Sequence, residues 1–364
     1  MKQSHTQKKI FVGVSGGVDS SVALALLQEQ GHEVVGVFIR TWQPDWIECT
    51  WQDERRDAMR VCAHLKVPFV ELDLEKEYKE GVADYMIREY QKGRTPNPDV
   101  MCNREVKFGG FLQWALDHGA DYVATGHYAA RTEDKETGKI KLRRGKDSNK
   151  DQSYFLWTLT QEQLKYILFP LGDLEKSEVR ERAEHYQLPT AQKKDSQGIC
   201  FIGEIDMKEF LSHYIEEQEG KVVDTKGEII GTHHGALFYT IGERHGFTIN
   251  PNYKGTQDKP YYVVSKNIVE NSITVSQTPQ NENTSTKKLI LQNIIDNQNI
   301  FKQGMKCEAQ IRYRGDIKNV IIESLDDSEK VMTIIFDKED YTLASGQSVV
   351  MYQKELCLGG GIVQ

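Results

Sequence analysis

Ser15-Gly16-Gly17-Val18-Asp19-Ser20-Ser21 stands between the apolar run Ile10–Val14 and the helix-forming run Val22–Leu27. The apolar run is rich in β-branched residues and is typical of a buried parallel strand. The second run meets no helix breaker before Gly31. The stretch therefore predicts a tight strand-to-helix turn, with the two serines in or near the first helical turn.

A turn of this kind is an anion site. The first backbone N–H groups of a helix lack partners and lie at the positive end of the helix dipole. Gly16 and Gly17 allow the backbone to approach a phosphate without a Cβ in the way. The spacing matches neither GxGxxG nor a loop that ends in Gly-Lys-Ser/Thr, so it indicates a phosphate loop of another kind.

The stretch resembles the SGGxDS motif, or PP-loop, of the ATP pyrophosphatases. These enzymes cleave ATP between its α and β phosphates and adenylate a substrate. The simpler interpretation is ordinary turn chemistry by three small residues, but the flanking strand and helix favour the phosphate loop.

Length and composition suggest a globular protein of two or three domains. The chain has 364 residues, of which 38% are hydrophobic and 27% charged. No apolar run reaches bilayer length and the amino terminus is polar, so we expect no membrane partner and a cytoplasmic location.

The charge balance is ambiguous about nucleic acid. The net charge of -8 argues weakly against such a partner. The stretch from Lys139 to Lys150, however, holds six basic residues and one acid, Asp147. It could be a nucleic-acid patch or the solvated face of a hairpin.

The first half of the chain alternates strands and helices. This pattern predicts an α/β fold with a doubly wound parallel sheet, whose ligands bind outside the carboxyl ends of the strands. The candidate site loops are 15–20, 39–42 and 126–127. The predicted strands cover 10–14, 34–39, 68–72 and 121–127, and the predicted helices cover 22–27, 53–65 and 111–118.

The second half has a different pattern. A short helix at 208–211 and a glycine-punctuated module follow, then a polar linker at 277–288. Beyond the linker, short β-type runs predict a small barrel or sandwich. We predict a catalytic domain at 1–204, a small central domain at 205–280 and a C-terminal β-barrel at 281–364; the predicted barrel strands are 307–313, 320–322, 331–336 and 348–352.

Two cysteine-bearing segments suggest chemistry. In Gly93–Arg104, two prolines predict an extended, ordered loop that carries Asp99 and Cys102. Nearby arginines favour the thiolate form of Cys102 that a nucleophile needs. Cys200 lies in the turn-rich segment Lys193–Gly203, although Ile199–Ile202 could also be a core strand. The six cysteines include no CxxC pair, so neither a zinc knuckle nor a clustered iron–sulfur motif is indicated.

Together these segments resemble the bacterial tRNA-specific 2-thiouridylase family, across the whole chain. The paired cysteine segments are more specific than the glycine loop. The resemblance is carried by SGGVDSS at 15–21, NPDVMCNREVKF at 97–108, TGHYA at 125–129, NKDQSYFL at 149–156, FPLG at 169–172, KKDSQGICFIG at 193–203, YTIGERHG at 239–246 and IRYRGD at 311–316.

The resemblance implies a role for each matching position. Cys102 would be the nucleophile, Cys200 the persulfide carrier and Asp99 a general acid or base. ATP would be held by Gly13, Val14, Ser15, Gly16, Gly17, Val18, Asp19, Ser20, Ile39 and Gly126. The target base would meet Asn97, Pro98 and Asp99, and the tRNA would meet His127, Lys150, Asp151, Gln152, Arg312, Tyr313 and Gln347.

The implied reaction replaces the 2-oxygen of the wobble uridine with sulfur, in tRNAs for Lys, Glu and Gln. ATP, with Mg²⁺, would adenylate the oxygen and turn it into a leaving group. A sulfur donor, either a cysteine desulfurase or a relay protein, would load Cys200. The persulfide would attack C2 directly or release hydrosulfide after attack by Cys102, and either route ends in a Cys102–Cys200 disulfide.

Two other functions stay open from the residues alone. An amide-forming ATP pyrophosphatase would use the same glycine loop without needing two loop cysteines. A non-catalytic tRNA-binding or sulfur-carrier protein would release no pyrophosphate. We expect a monomer that recognises the anticodon stem-loop.

Overall fold

The computed structural model describes residues 6–47, 51–195, 206–253, 259–278, 286–340 and 344–364. Three sheets organise this part of the chain: a five-stranded parallel sheet, a five-stranded central sheet and an eight-stranded sheet that includes a closed barrel. No helix within these ranges is both long and apolar enough to cross a membrane. The doubly wound α/β fold and the C-terminal barrel are both confirmed.

The parallel sheet carries the predicted phosphate loop. Its strands are β1 (Lys9–Gly13), β2 (Glu33–Arg40), β3 (Phe69–Asp73), β4 (Tyr122–Ala124) and β7 (Ile167–Leu168). Their order is β3-β2-β1-β4-β7, so the strand order reverses between β1 and β4 although all the strands are parallel. The crevice outside the carboxyl ends of these two strands is where such sheets bind ligands.

The helices that flank this sheet begin close to the predicted positions. The helix after the glycine loop, α1, is buried on almost every side because it lies between the sheet and α8. The helices are α1 (Val18–Glu29), α2 (Trp51–Leu65), α3 (Glu75–Tyr78), α4 (Asp84–Gln91), α5 (Pro98–Met101), α6 (Phe111–Asp117), α7 (Gln161–Leu164), α8 (Lys176–His185) and, in the central region, α9 (Met207–Ser212).

The prediction of an extended proline loop over Gly93–Arg104 is wrong beyond Asn97. Pro98 is the first residue of α5, where a missing N–H costs nothing, and Asn97 caps the helix by accepting a hydrogen bond from the Val100 N–H at 3.3 Å. A π-helical segment, Cys102–Gly110, then joins α5 to α6. Cys102 therefore lies on a helical stretch that runs from Pro98 to Asp117, which we call the cysteine helix.

The central sheet has the order β10-β9-β8-β12-β11. All of its pairs are antiparallel except the β8–β12 pair, which is parallel. Its strands are β8 (Gly220–Val223), β9 (Ile229–His233), β10 (Thr248–Ile249), β11 (Tyr262–Asn267) and β12 (Ser272–Ser276).

The C-terminal strands form a closed barrel in the order β13-β16-β15-β14-β17-β18, with β13 pairing back to β18. They are β13 (Thr286–Asp296), β14 (Lys306–Gln310), β15 (Ile317–Asp326), β16 (Val331–Asp340), β17 (Ser348–Gln353) and β18 (Leu356–Val363). The linker prediction is wrong at its end, because residues 286–288 already belong to β13; residues 279–285 lie outside the described part.

A hairpin from the first half of the chain extends the barrel sheet. Strands β5 (Ala129–Glu133) and β6 (Ile140–Arg144) pair with each other, and Arg143 of β6 pairs with Leu356 of β18. This sheet therefore crosses the boundary predicted at residue 281.

A buried carboxylate fastens this hairpin. The side chain of Asp151 is 7% exposed and accepts hydrogen bonds from the Gly145 N–H, the Ser153 N–H and hydroxyl, and the Arg144 guanidinium at 3.1 Å. The Arg144 guanidinium in turn lies 3.6 Å from the ring centroid of Tyr352 in β17. Asp151 thus positions Arg144, whose contact with Tyr352 links the hairpin to the barrel.

We predict that Asp151→Ala lowers the free energy of unfolding by about 3 kcal/mol, because it leaves Arg144 without its carboxylate in a largely dry site. The matched control is Asp173→Ala, since Asp173 pairs with the adjacent Arg143 but is 85% exposed. The control should cost less than about 0.5 kcal/mol. Urea denaturation measures both, and equal losses would contradict a structural role for Asp151.

Candidate functional site

The glycine loop has the form of an anion cradle. The Ser15 N–H donates to the Ser20 hydroxyl at 3.1 Å, and the Ser21 hydroxyl donates to the Gly17 carbonyl at 2.6 Å. Gly17 precedes α1 and provides no side-chain cap for it. The first N–H groups of α1 therefore point into the loop at the positive end of the dipole, as a phosphate requires.

Two glycines are demanded by close packing. Gly16 has φ +71°, and a Cβ there would lie 2.3 Å from the Glu54 carbonyl oxygen. A Cβ on Gly126 would lie 2.7 Å from the Ser20 nitrogen. Gly126, predicted to contact adenosine, thus already serves to bring the loop after β4 against the first turn of α1.

Asp19 is the charged residue of the loop, and its Oδ1 accepts two hydrogen bonds from elsewhere in the chain. The Tyr128 hydroxyl donates at 2.8 Å and the Lys176 ammonium at 2.7 Å. Burial beside Asp19 raises the pKa of Tyr128 far above its ordinary value, so this phenol stays protonated and remains a donor. The sequence prediction missed both partners, which only the fold brings near.

The remaining predicted nucleotide residues form the wall of the crevice. Val14 and Ile39 are buried at the ends of β1 and β2, with relative exposures of 2% and 6%. Gly13 packs beside Thr125 and the ring of Phe111, and Val18 is buried in the first turn of α1. These positions suit an apolar support behind a nucleotide.

Cys102 is fully buried on the cysteine helix, with a relative exposure of 0%. Its neighbour Asn103 is also buried and donates to the Phe155 carbonyl at 3.2 Å, which ties the helix to the NKDQSYFL segment. Asp99 is half-buried in the first turn of the helix, where the dipole favours a carboxylate. Cys200 lies outside the described residues.

His127 connects the loop after β4, which packs on the glycine loop, to the cysteine helix. Its ring packs against Phe108 of the cysteine helix, at 5.9 Å, and against Phe169, and its Nδ1 is 2.7 Å from the Thr125 hydroxyl. Burial, helped by the charge of Lys107, holds the pKa of His127 well below its ordinary value. The imidazole is therefore neutral at physiological pH.

The residues predicted to contact tRNA make internal contacts in this structure. Lys150 pairs with Asp195 at 2.6 Å, and Gln152 exchanges hydrogen bonds with the Tyr128 backbone. Arg312 donates to the Ile241 carbonyl at 3.2 Å, and the half-buried Tyr313 packs on Phe155 with ring centroids 4.5 Å apart. The last of them, Gln347, donates to the Thr95 carbonyl at 2.8 Å.

Most of the cations in the basic run at 139–150 are paired with carboxylates of the same chain. Each of its six cations has a partner in the chain: Lys139 with the Gln298 carbonyl, Lys141 with Asp134, Arg143 with Asp173, Arg144 with Asp151, Lys146 with Glu178 and Lys150 with Asp195. The run is strand β6 with the loop after it. Its cations have partners within the chain, so it is not an unopposed basic patch.

Comparison with known proteins identifies the family. Models described as tRNA methyl transferase HUP domain, tRNA methyl transferase PRC-barrel domain and aminomethyltransferase beta-barrel domain match residues 8–204, 208–277 and 286–363. A tRNA-specific 2-thiouridylase MnmA of Staphylococcus saprophyticus is 45% identical over 99% of this chain and 96% of its own length. The chain belongs to the tRNA-specific 2-thiouridylase family.

Two further members of this family support the assignment. The protein of Bacillus velezensis is 44% identical over 100% of this chain and 96% of its own. That of Shigella boydii is 44% identical over 99% and 98%, respectively. Membership of this family confirms the resemblance drawn from the motifs.

The other described cysteines lie in environments unsuited to sulfur chemistry. Burial raises the pKa of Cys62 and Cys307 to about 11 and that of Cys357 to about 12. Since the thiolate is the nucleophile, these thiols are inert near neutral pH. Cys62 fills the space over Gly36, where a Cβ would lie 2.3 Å from its sulfur.

We predict that His127 makes the fold acid-sensitive. The unfolded chain binds a proton at this residue below about pH 6.5 whereas the folded chain does not, so stability falls as the pH falls. Between about pH 7.5 and about pH 5.5 the loss from this residue is about 1.4 kcal/mol. His127→Gln should remove that part of the loss in urea denaturation, and an unchanged pH dependence would contradict the buried neutral state.

Proposed function

We propose that this member of the tRNA-specific 2-thiouridylase family adenylates the 2-oxygen of the wobble uridine with ATP and replaces it with sulfur. The observation that carries the proposal is that the glycine loop lies next to the buried part of the cysteine helix. Gly126 packs on Ser20 of the loop, and the next residue, His127, packs on Phe108 of the cysteine helix. The glycine loop and the cysteine helix are therefore adjacent, which supports phosphate chemistry and thiol chemistry at one site.

In the first step the uridine oxygen attacks the α-phosphorus of ATP and pyrophosphate leaves. The N–H groups at the start of α1 and the Ser15 and Ser20 hydroxyls are suited to hold the phosphates. Mg²⁺ prefers carboxylate oxygens plus substrate phosphates over an all-protein cage. Asp19 fits that role, and it would supply one ligand to a metal that neutralises phosphate charge.

In the second step the terminal sulfur of a Cys200 persulfide bonds to C2 and AMP leaves with the former 2-oxygen. The Cys102 thiolate then attacks the sulfur of Cys200, forming a disulfide and leaving the second sulfur on the uridine. Alternatively Cys102 attacks the persulfide first and hydrosulfide adds to C2. Both routes consume two electrons that an external thiol reductant must restore.

The burial of Cys102 adds a requirement. A thiol with no exposed surface cannot meet a base that has been turned out of an anticodon loop, so binding of tRNA must uncover it. We propose that Asn97, Pro98 and Asp99 receive the base at the amino end of the cysteine helix. We propose that the sulfur donor, a cysteine desulfurase or a relay protein, transfers sulfur to Cys200.

The direct test is thiolation of unmodified tRNA by the purified protein with ATP, Mg²⁺, a cysteine desulfurase, its relay proteins and a thiol reductant. Mass spectrometry of the digested tRNA should detect 2-thiouridine together with one pyrophosphate per uridine. The variant Cys102→Ala should abolish the product, whereas the matched variant Cys307→Ala should keep it. Pyrophosphate release without thiouridine would favour a different ATP pyrophosphatase.

We predict different roles for the two thiols. With labelled cysteine as sulfur source, Cys102→Ser should carry the label and Cys200→Ser should not. Wild-type protein after one turnover without reductant should yield a Cys102–Cys200 crosslink in a tryptic map. Label on Cys102 would reverse the assignment, and a thiolating double variant would refute it.

A further inference from the structure

The glycine loop has no positive side chain of its own. Between Ser15 and Ser21 the charged residue is the carboxylate of Asp19. The amino end of α1 supplies the equivalent of about half a positive charge, far less than pyrophosphate carries. Besides the proposed Mg²⁺, a cation from another part of the chain would help to stabilise the leaving group.

We propose that Lys176 binds the pyrophosphate portion of ATP and the pyrophosphate that leaves. This inference rests on the proposed use of ATP and adds a residue that none of the motifs indicated. Lys176 is the first residue of α8, and its backbone N–H is fixed by the Asp147 carboxylate at 3.0 Å. From there its side chain reaches Asp19 of the glycine loop.

The position of the ammonium group supports the assignment. Its Nζ lies 2.7 Å from Asp19 Oδ1 and 2.8 Å from Asp195 Oδ1, with the side chain only 16% exposed. The positive end of α1 repels a cation, so two carboxylates are required to keep one there. An ammonium has three N–H donors, and these carboxylates engage two of them, which leaves one for a phosphate oxygen.

Asp195 is held rigidly enough to direct this lysine. It also accepts hydrogen bonds from Lys150 and Arg180 at 2.6 Å each. Arg180 is itself fixed by the carbonyls of Ala191 and Lys193. Burial raises the pKa of Asp195, but the hydrogen bonds from Lys150 and Lys176 outweigh it, so the carboxylate stays charged and below its ordinary pKa.

The test is binding of inorganic pyrophosphate with Mg²⁺, measured by calorimetry on the full chain without tRNA or sulfur donor. Lys176→Met keeps length and helix propensity but removes the charge. Loss of one charge-assisted contact should weaken binding roughly 10- to 100-fold. Lys176→Arg should stay closer to wild type because it keeps the charge.

Lys146→Met is the matched control. Lys146 also pairs with a carboxylate of α8, Glu178, at 2.9 Å, but its side chain is 47% exposed. Its affinity for pyrophosphate should equal that of wild type. Wild-type affinity in Lys176→Met, or an equal loss in Lys146→Met, would overturn the inference.

Failure of the proposed function has a different signature. If wild-type protein binds pyrophosphate but forms no 2-thiouridine with ATP, tRNA and a sulfur donor, the reaction is misassigned while the role of Lys176 stands. If wild-type protein thiolates tRNA and Lys176→Met binds pyrophosphate normally, the reaction stands and the lysine is only a structural ion pair.

Discussion

The close approach of Gly126 to the backbone of Ser20 is the constraint on which the site depends. The two residues follow neighbouring parallel strands, and only the missing Cβ lets the loops touch. Two residues after Gly126, the Tyr128 hydroxyl can then reach Asp19 while its backbone is held by Gln152. Gly126 thus sets how closely the loop after β4 approaches the glycine loop, and with it the direction of the Asp19 carboxylate.

A second constraint concerns the segment before the cysteine helix, where three parts of the chain meet. The Thr95 N–H donates to the Ser345 carbonyl, and its carbonyl accepts from Gln347, both next to the barrel strand β17. The Thr95 hydroxyl is 3.2 Å from that of Thr240 in the central region. Both later parts of the chain therefore fix the entry to the helix that carries Cys102. The central region and the barrel therefore help to place the cysteine helix.

The parallel sheet and most barrel strands could be predicted from sequence because their signals are local. Apolar runs of strand length and a helix-forming run after Gly17 need no tertiary information. The amino-terminal part of the cysteine helix, before the predicted helix at 111–118, was missed because proline usually argues against helix, although at the first helical position it favours one. Strand β18 was missed because its glycines, Gly359 to Gly361, have low strand propensity. They are required by the barrel, since a Cβ on Gly359 would lie 2.0 Å from the Ile295 carbonyl oxygen.

The glycine loop and Cys102 could be found by motif, whereas the charges around them could not. Lys176 and Asp19 are far apart in sequence and share no pattern, and the same holds for Lys150 and Asp195. Such pairs exist only after the sheet has formed and α8 has packed on α1. The sequence therefore predicts the motifs of the site but not the ion pairs that surround them.

These ion pairs change how the charge of the chain would affect tRNA binding. A cation that already pairs with a carboxylate must exchange that partner for a phosphate, so it gains less than an unpaired cation would. It also releases fewer counterions, since the carboxylate left behind must attract cations from solution. Each of the six cations between Lys139 and Lys150 has an internal partner. Contact of these cations with tRNA would therefore be coupled to the contacts they give up. For Lys150 the contact given up is with Asp195, the same carboxylate that holds Lys176 beside the glycine loop. Binding of tRNA at Lys150 would therefore change the charge at the phosphate site through Asp195.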